Sequence, residues 1–189
     1  MRGRILAIWL ALNATAFIFA GQTWWQLDVN TGDQATGVTG TGFDADKSIS
    51  AILLFGLAAL LFVAFSRGWL AVVISFAATA STLLLAILTA SNLLNENIGG
   101  ISALVEKHTG FAVGSFLKLN EPAFVTGQIQ IWAWLTLTTL IGLASIQTVF
   151  AFAAIKSARQ AKPRSDRTKT KQAGAELDDS ISLWDAQKP

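Results

Sequence analysis

The chain has 189 residues, of which 52% are hydrophobic and 14% are charged, with a formal net charge of +2. An average soluble domain carries about 25% charged residues, so this chain lacks the polar surface that an ordinary cytosolic enzyme needs. The sequence has no cysteine and a single histidine, which excludes disulfides, iron–sulfur clusters, zinc–thiolate sites, c-type haem and a bis-histidine b-type haem held by this chain alone.

Four stretches are long and apolar enough to cross a bilayer, which takes about 20 residues of helix. They cover residues 5–22, 48–65, 69–94 and 129–155, and none has a charged residue or histidine in its interior. One charge at mid-membrane costs about 2.5–3.5 kcal/mol, so the absence of charges favours insertion into a bilayer. The alternative, a soluble protein with four buried helices, is disfavoured because these helices have no polar face to turn towards water. The sequence therefore predicts an all-α integral membrane protein, a four-helix transmembrane bundle over residues 1–155.

The first span starts after two arginines, as a cleaved signal peptide does. Signal peptidase needs small residues one and three positions before the cut, and here Ile18 or Phe19 would occupy the third position. We therefore expect an uncleaved helix. Trp24 and Trp25 follow it as an anchor at the outer interface, and Trp9 is expected in the aromatic belt at the inner one.

The loop between the first two spans has apolar and polar residues alternating on both sides of Asn30-Thr31-Gly32-Asp33. This pattern predicts a short extracytoplasmic β-hairpin, with a flexible linker as the alternative because an isolated hairpin is only marginally stable. The aspartates of the loop lack the spacing of a calcium-binding loop. Thr39-Gly40-Thr41-Gly42 is interpreted as a turn and not as a nucleotide site.

Spans two and three are separated only by Ser66-Arg67-Gly68 and must form a tight antiparallel hairpin. The second outer loop, residues 95–128, contains apolar residues at helical spacing, namely Ile98, Ile101, Leu104 and Val105. They predict a short amphipathic helix that caps the bundle at the outer interface. The alternative is that this helix presents Glu106 and His108 to a partner or ligand; a lone histidine is weak evidence for a metal, and we predict no metal site.

Asn13 in span one and Gln147 in span four are the candidate intramembrane polar residues, because buried polar side chains mark transport or catalytic sites in membranes. Small and hydroxyl residues at helical spacing predict close helix packing in span three (Ser75, Thr79, Thr82) and in span four (Thr138, Gly142, Ser145). No catalytic set, phosphate-binding loop or cofactor motif accompanies them, so we expect neither a catalytic residue nor a cofactor.

Residues 156–189 form a tail that is basic in its first half and acidic in its second, and we predict that it is disordered and cytoplasmic. Within it, Leu183, Trp184 and Asp185 form an apolar and aromatic segment typical of a docking motif. Of the 14 lysines and arginines, eleven fall in the segments that are inside if the N-terminus is inside. The positive-inside rule then predicts both termini in the cytoplasm of a bacterial plasma membrane.

Several short motifs resemble one family. Ala20-Gly21-Gln22-Thr23-Trp24-Trp25 ends the first span, Val38-Thr39-Gly40-Thr41-Gly42 precedes the second, and Leu183-Trp184-Asp185-Ala186 lies in the tail. Together with the Arg67-Gly68-Trp69 hairpin, they resemble the tryptophan-biosynthesis-associated membrane proteins of actinobacteria. The resemblance implies a four-span fold and a link to tryptophan synthesis, and it implies little about mechanism.

Three functions follow as hypotheses. The first is a non-catalytic accessory or scaffold protein of the bilayer that binds a membrane or cytoplasmic protein through its tail and outer loops, with Thr23, Trp24 and Trp25 as further candidate interaction residues. The second is a small exporter or permease for tryptophan, indole or a related aromatic compound, which would need a homo-oligomer to line a path. The third is an accessory subunit of a respiratory or cell-envelope complex. No nucleic-acid partner is expected.

Overall fold

The computed structural model describes residues 2–30, 35–66, 68–96, 101–109 and 125–160. Its long helices are α1 (Arg2–Ala20), α3 (Ser48–Phe65), α4 (Trp69–Leu94) and α6 (Ile131–Gln160). Between them lie the short helices α2 (Gly42–Ala45) and α5 (Ser102–Thr109) and the strands β1 (Thr23–Asn30), β2 (Ala35–Thr41) and β3 (Val125–Ile129). The four long helices are long and apolar enough to cross a membrane, which confirms the predicted spans.

The long helices form a bundle in which each helix packs against two neighbours. Helix α1 packs against α3 and α6, and α4 packs against the same two helices. Successive long helices are joined at alternate ends of the bundle, so each helix runs antiparallel to the two helices that it packs against. We call the end that carries the strands the sheet end, and the end where α1 begins and α6 finishes the tail end.

The outward faces of the bundle are apolar. Large hydrophobic side chains on all four helices are more than half exposed, including Ile18, Leu61, Val73, Ile87 and Phe152. Such a surface is stable against hydrocarbon, where the backbone of each helix satisfies its own hydrogen bonds, and would be unstable in water. The structure therefore has the surface of an integral membrane protein.

A small antiparallel sheet lies at the sheet end with the strand order β2-β1-β3. The predicted hairpin is present as β1 and β2, with Leu27 opposite Val38. Strand β3 was not predicted, and it pairs with the other edge of β1. The sequence placed Ile129 in the fourth span, but in the structure it is the last residue of β3. Residues Val125–Ile129 are extended and pair with β1, and helix α6 begins only at Ile131.

The sheet is joined to the bundle by very short connections. Two residues separate α1 from β1, a single residue separates β3 from α6, and α2 follows β2 directly. The last carbonyls of α1 are capped by this junction, since the Phe17 carbonyl accepts from the Gly21 N–H at 3.2 Å and the Phe19 carbonyl accepts from the Gln22 N–H at 3.2 Å. The Gln130 N–H then donates to the Trp24 carbonyl at 2.8 Å, which ties the start of α6 to β1.

Helix α5 packs against β2 and covers the apolar face of the sheet. Ile101 and Val105 are buried, and they belong to the same hydrophobic core as Leu27, Val29 and Val38. The predicted amphipathic helix is thus present, and its apolar side packs against the sheet. Ile98, which was included in the predicted pattern, lies outside the described residues.

The ends of the first and last spans differ from the predicted ones. Helix α1 begins at Arg2 and ends at Ala20, where the sequence suggested 5–22, while α3 and α4 have the predicted bounds. Helix α6 continues to Gln160, five residues beyond the predicted end at Ile155, so that the exposed Lys156 and Arg159 extend the helix at the tail end. Basic residues in the last turn suit the negative end of a helix dipole.

We predict that Gly42→Ala lowers the free energy of unfolding by about 1–3 kcal/mol, the usual cost of overpacking. A Cβ at this position would lie 2.5 Å from two ring atoms of Trp24 and 2.8 Å from the Ala20 carbonyl oxygen. Gly37→Ala on the preceding strand, β2, is the control, because the nearest neighbour of its Cβ would be the Asp28 carboxylate at 3.8 Å. Unfolding in mild detergent, followed by tryptophan fluorescence, measures both variants. Equal stability of the two variants would contradict the Trp24–Gly42 packing.

Candidate functional site

The two family-like motifs at the sheet end contact each other. Trp24 lies against Gly42, where only a hydrogen atom fits beneath the indole, and its Nε1–H donates to the Phe19 carbonyl at 3.1 Å. Trp25 is opposite Gly40 in the hairpin, and a Cβ on Gly40 would lie 2.9 Å from Ile101, the residue just before the covering helix α5. Both positions therefore require glycine, because a tryptophan and an isoleucine occupy the space that a side chain would need.

Trp24 and Trp25 are only 3% and 1% exposed. The expectation that they anchor the chain in an outer aromatic belt is therefore wrong, because both indoles lie in the protein core; Thr23, between α1 and the bulge of β1, is half-buried. A bulge between Thr23 and Trp25 lets two consecutive tryptophans both point away from solvent, which a regular strand does not allow. That these three residues bind a partner stays a prediction.

The sequence suggested that Thr39-Gly40-Thr41-Gly42 is a turn. In the structure its first three residues end β2 and Gly42 begins α2. Thr41 forms a capping box with Asp44: its hydroxyl oxygen accepts from the Asp44 N–H at 3.3 Å, and the Asp44 carboxylate accepts from the Thr41 N–H at 2.9 Å. This box starts a helical turn directly after the strand and leads the chain into span two.

The outer face of the sheet is a flat polar surface. Gln26 is opposite Thr39 on one side and Gln128 on the other, so these three exposed side chains form a row across the three strands. Asp28 lies between Gly37 and Thr126 in the next row on the same face. We call these six residues the polar sheet face. Gln130 extends it, since its side-chain N–H donates to the Gln26 side-chain oxygen at 3.1 Å.

Inside the bundle the two predicted polar residues are both buried. Asn13 on α1 is 4% exposed and Gln147 on α6 is 0% exposed. Trp9, one turn before Asn13, is also fully buried and contacts Phe150 of α6 at a ring-centroid distance of 6.0 Å. The expectation that Trp9 faces the inner interface is therefore wrong. Its position four residues before Asn13 places both on one face of α1, a signal that the sequence already contained.

Six buried side-chain polar atoms in the described part of the chain have no hydrogen-bond partner, and four of them belong to this group: Trp9 Nε1, Asn13 Nδ2, Gln147 Nε2 and Gln147 Oε1. A buried polar atom left unpaired costs about 1–3 kcal/mol. By contrast, the buried hydroxyls of Ser75, Thr79 and Thr82 each donate to a carbonyl four residues earlier in α4, at 2.7–2.9 Å. The other two unpaired atoms, Trp25 Nε1 and Ser48 Oγ, lie at the sheet end, so the unpaired atoms in the interior of the bundle are those of α1 and α6.

The small residues of the two later spans differ in position. Ser75, Thr79 and Thr82 are buried in α4, as predicted for helix packing. Thr138 and Ser145 of α6 are exposed and donate to carbonyls of their own helix, so the packing predicted for them is wrong. The inward stripe of α6 consists instead of Thr136, Leu140, Leu143, Gln147 and Phe150.

Other predicted residues add little to this geometry. Glu106 is exposed on α5, and His108 lies in the last turn of that helix. In the described ranges no group of three or more acidic, histidine or cysteine side chains is close enough to hold a metal ion. Leu183, Trp184 and Asp185 lie outside the described residues.

An apolar four-helix bundle topped by a small sheet defines an integral membrane protein with an ordered module outside the hydrocarbon. The chain belongs to the family of tryptophan-associated transmembrane proteins, whose family model matches residues 6–187. This match confirms the resemblance drawn from the sequence and extends from α1 to beyond Leu183-Trp184-Asp185. No curated protein matches the chain.

We predict that Ser75→Leu lowers the free energy of unfolding by about 1–3 kcal/mol, because the larger side chain would overpack a position that is 0% exposed. Ala77→Leu is the matched control, since Ala77 lies two residues further along α4 and is exposed on the lipid-facing side. Denaturation in mixed detergent micelles compares the two variants. A loss of stability in Ala77→Leu as large as that in Ser75→Leu would contradict the assigned packing face.

Proposed function

We propose that the protein is a non-catalytic membrane accessory protein that presents the polar sheet face to a partner protein in connection with tryptophan metabolism. With the orientation that the positive-inside rule predicts, the sheet lies outside the cytoplasm of the plasma membrane and the tail lies inside. The tail segment at Leu183-Trp184-Asp185 is then a second docking site, on the cytoplasmic side.

The observation that supports this function most directly is the rigid attachment of the sheet to the spans. Three of the four spanning helices connect directly to the sheet. Helix α1 and helix α6 are joined to it by at most two residues, and α3 is joined to it through α2. The helix caps and hydrogen bonds described above hold these junctions. A surface held this way loses little conformational entropy on binding. Its polar rows, with Asp28 as their one charged residue, suit a protein partner that forms hydrogen bonds.

A photo-crosslinking amino acid at Thr39 or Gln128 tests this proposal in living cells. Both positions lie in one row of the polar sheet face, and we expect them to yield a crosslinked product of the same mass with the same partner. The control position is Val73, which is 60% exposed on the outside of α4 and should crosslink to lipid. Products that differ between Thr39 and Gln128, or none from either, would contradict the proposed face.

A chain lacking residues 183–185 extends the same experiment to the tail. If the tail docks a second protein, its loss removes that protein from the purified complex and leaves the sheet crosslink unchanged. Retention of every partner would remove the tail from the proposal. An accessory subunit of a respiratory or cell-envelope complex is one form that this function takes, and a cofactor that co-purifies with the partner would distinguish it.

Transport of tryptophan, indole or a related aromatic compound is the second candidate function. The unpaired amides of Asn13 and Gln147 inside the bundle favour it, because polar groups within a membrane mark solute paths. Four helices are few for one path, so this function requires a homo-oligomer.

We expect a transporter reconstituted in liposomes to move labelled tryptophan or indole, and Asn13→Leu and Gln147→Leu to reduce the rate at least tenfold. Thr138→Val is the control, since its hydroxyl is exposed and already bonded to its own helix. Flux that is absent, or that neither leucine substitution changes, would reject transport.

A further inference from the structure

The unpaired polar atoms of α1 and α6 are grouped around a single aromatic contact. The rings of Trp9 and Phe150 touch at 6.0 Å, Asn13 is one turn from Trp9 on α1, and Gln147 is three residues from Phe150 on α6. One helical turn rises about 5.4 Å, so both amide side chains start within about one turn of this contact. Because α1 and α6 run antiparallel, Asn13 and Gln147 both lie on the sheet side of this contact, at nearly the same height in the bundle.

We propose that this group is a binding site for ordered water inside the bundle. The unpaired atoms comprise three N–H groups and one acceptor, Gln147 Oε1. A water molecule accepts two hydrogen bonds and donates two, so three donor nitrogens and one acceptor need at least two waters. Buried water in proteins usually makes about three such bonds to otherwise unsatisfied groups.

Two features of the site select water over a larger or charged occupant. The four candidate spans carry no Asp, Glu or His, and their lysine and arginine residues lie at the tail end, so a charged ligand would find no counter-charge beside these amides. Trp9 and Gln147 are both 0% exposed, which encloses the site on the sides of α1 and α6.

Helix α3 packs directly against Asn13. Gly56 faces this amide, and a Cβ on Gly56 would lie 2.7 Å from Asn13 Nδ2. The bare backbone of α3 therefore borders the site where any other residue would press on the amide. This inference rests on neither proposed function, and it competes with transport because it explains the same two amides by bound water.

Water-edited solid-state NMR of the 15N-labelled protein in lipid bilayers tests the site. We expect water protons to transfer magnetisation to the Asn13 and Gln147 side-chain amides and to the Trp9 indole N–H, with assignments confirmed by loss of the signal in Asn13→Leu and Gln147→Leu. The exposed Gln128 amide is the positive control, and the backbone N–H of Leu85, buried in α4, is the negative one. Transfer to at least two of the three groups supports the site; transfer to fewer overturns it.

A double-mutant cycle gives an independent measure. If water links the two amides, Asn13→Leu and Gln147→Leu each lower the thermal midpoint, and the double variant loses less than the sum of the single losses. Thr79→Val, whose hydroxyl already donates to the Ser75 carbonyl, should leave the NMR transfer unchanged. A higher midpoint in both single variants would show that the amides are dry and unpaired, and would overturn the proposal.

Discussion

Hydrocarbon offers no hydrogen bonds, so every polar group that enters it must find a partner inside the protein. Most of this chain obeys that constraint locally. The backbone within the bundle is helical, and the buried hydroxyls of α4 donate to carbonyls of their own helix. Among the described residues, irregular backbone and strands lie beyond the ends of the spans. Against this background, Asn13 Nδ2 and both polar side-chain atoms of Gln147 stand out, because they are buried without a hydrogen-bond partner among the described residues.

The same constraint explains why the sheet and the bundle form one unit. Where α1 ends, its last carbonyls need donors, and the chain supplies them at once from Gly21, Gln22 and the Trp24 indole. The Trp24 ring that donates to the Phe19 carbonyl lies against Gly42 at the start of α2, where a glycine leaves space for it. One tryptophan therefore caps a spanning helix and also packs against the short helix that leads into the next span.

Much of the membrane part could be predicted from the sequence, because length and the lack of charge are strong signals. The bounds of α3 and α4 agree with those predicted, since Lys47 and the glycine at 68 end the apolar runs sharply. The start of α6 was harder to predict, because only Gln130 separates the last residue of β3, Ile129, from the first residue of α6, Ile131. No glycine, proline or charged residue between them marks the change from strand to helix. Strand β3 is only five residues long and pairs with a strand about a hundred residues earlier, so no local pattern could predict its partner.

The tryptophans show a different limit of sequence reasoning. An aromatic residue near the end of a span is typical of the lipid interface, yet Trp9, Trp24 and Trp25 are all core residues, whereas Trp69 is 69% exposed. Hydropathy cannot separate these cases, because the distinction depends on which neighbour offers a gap the size of an indole. Gly42 is such a neighbour for Trp24, and it lies 18 positions further along the chain.

The motifs that carry the family resemblance at the sheet end are thus mainly packing motifs. Thr23-Trp24-Trp25 and Val38-Thr39-Gly40-Thr41-Gly42 pair with each other, and their largest side chains are buried. A partner would meet only the alternate residues of these strands, such as Gln26 and Thr39. Buried residues that build the sheet and exposed residues that would bind a partner therefore alternate along the same strands. A substitution tests binding only when it changes an exposed residue and leaves the buried ones intact.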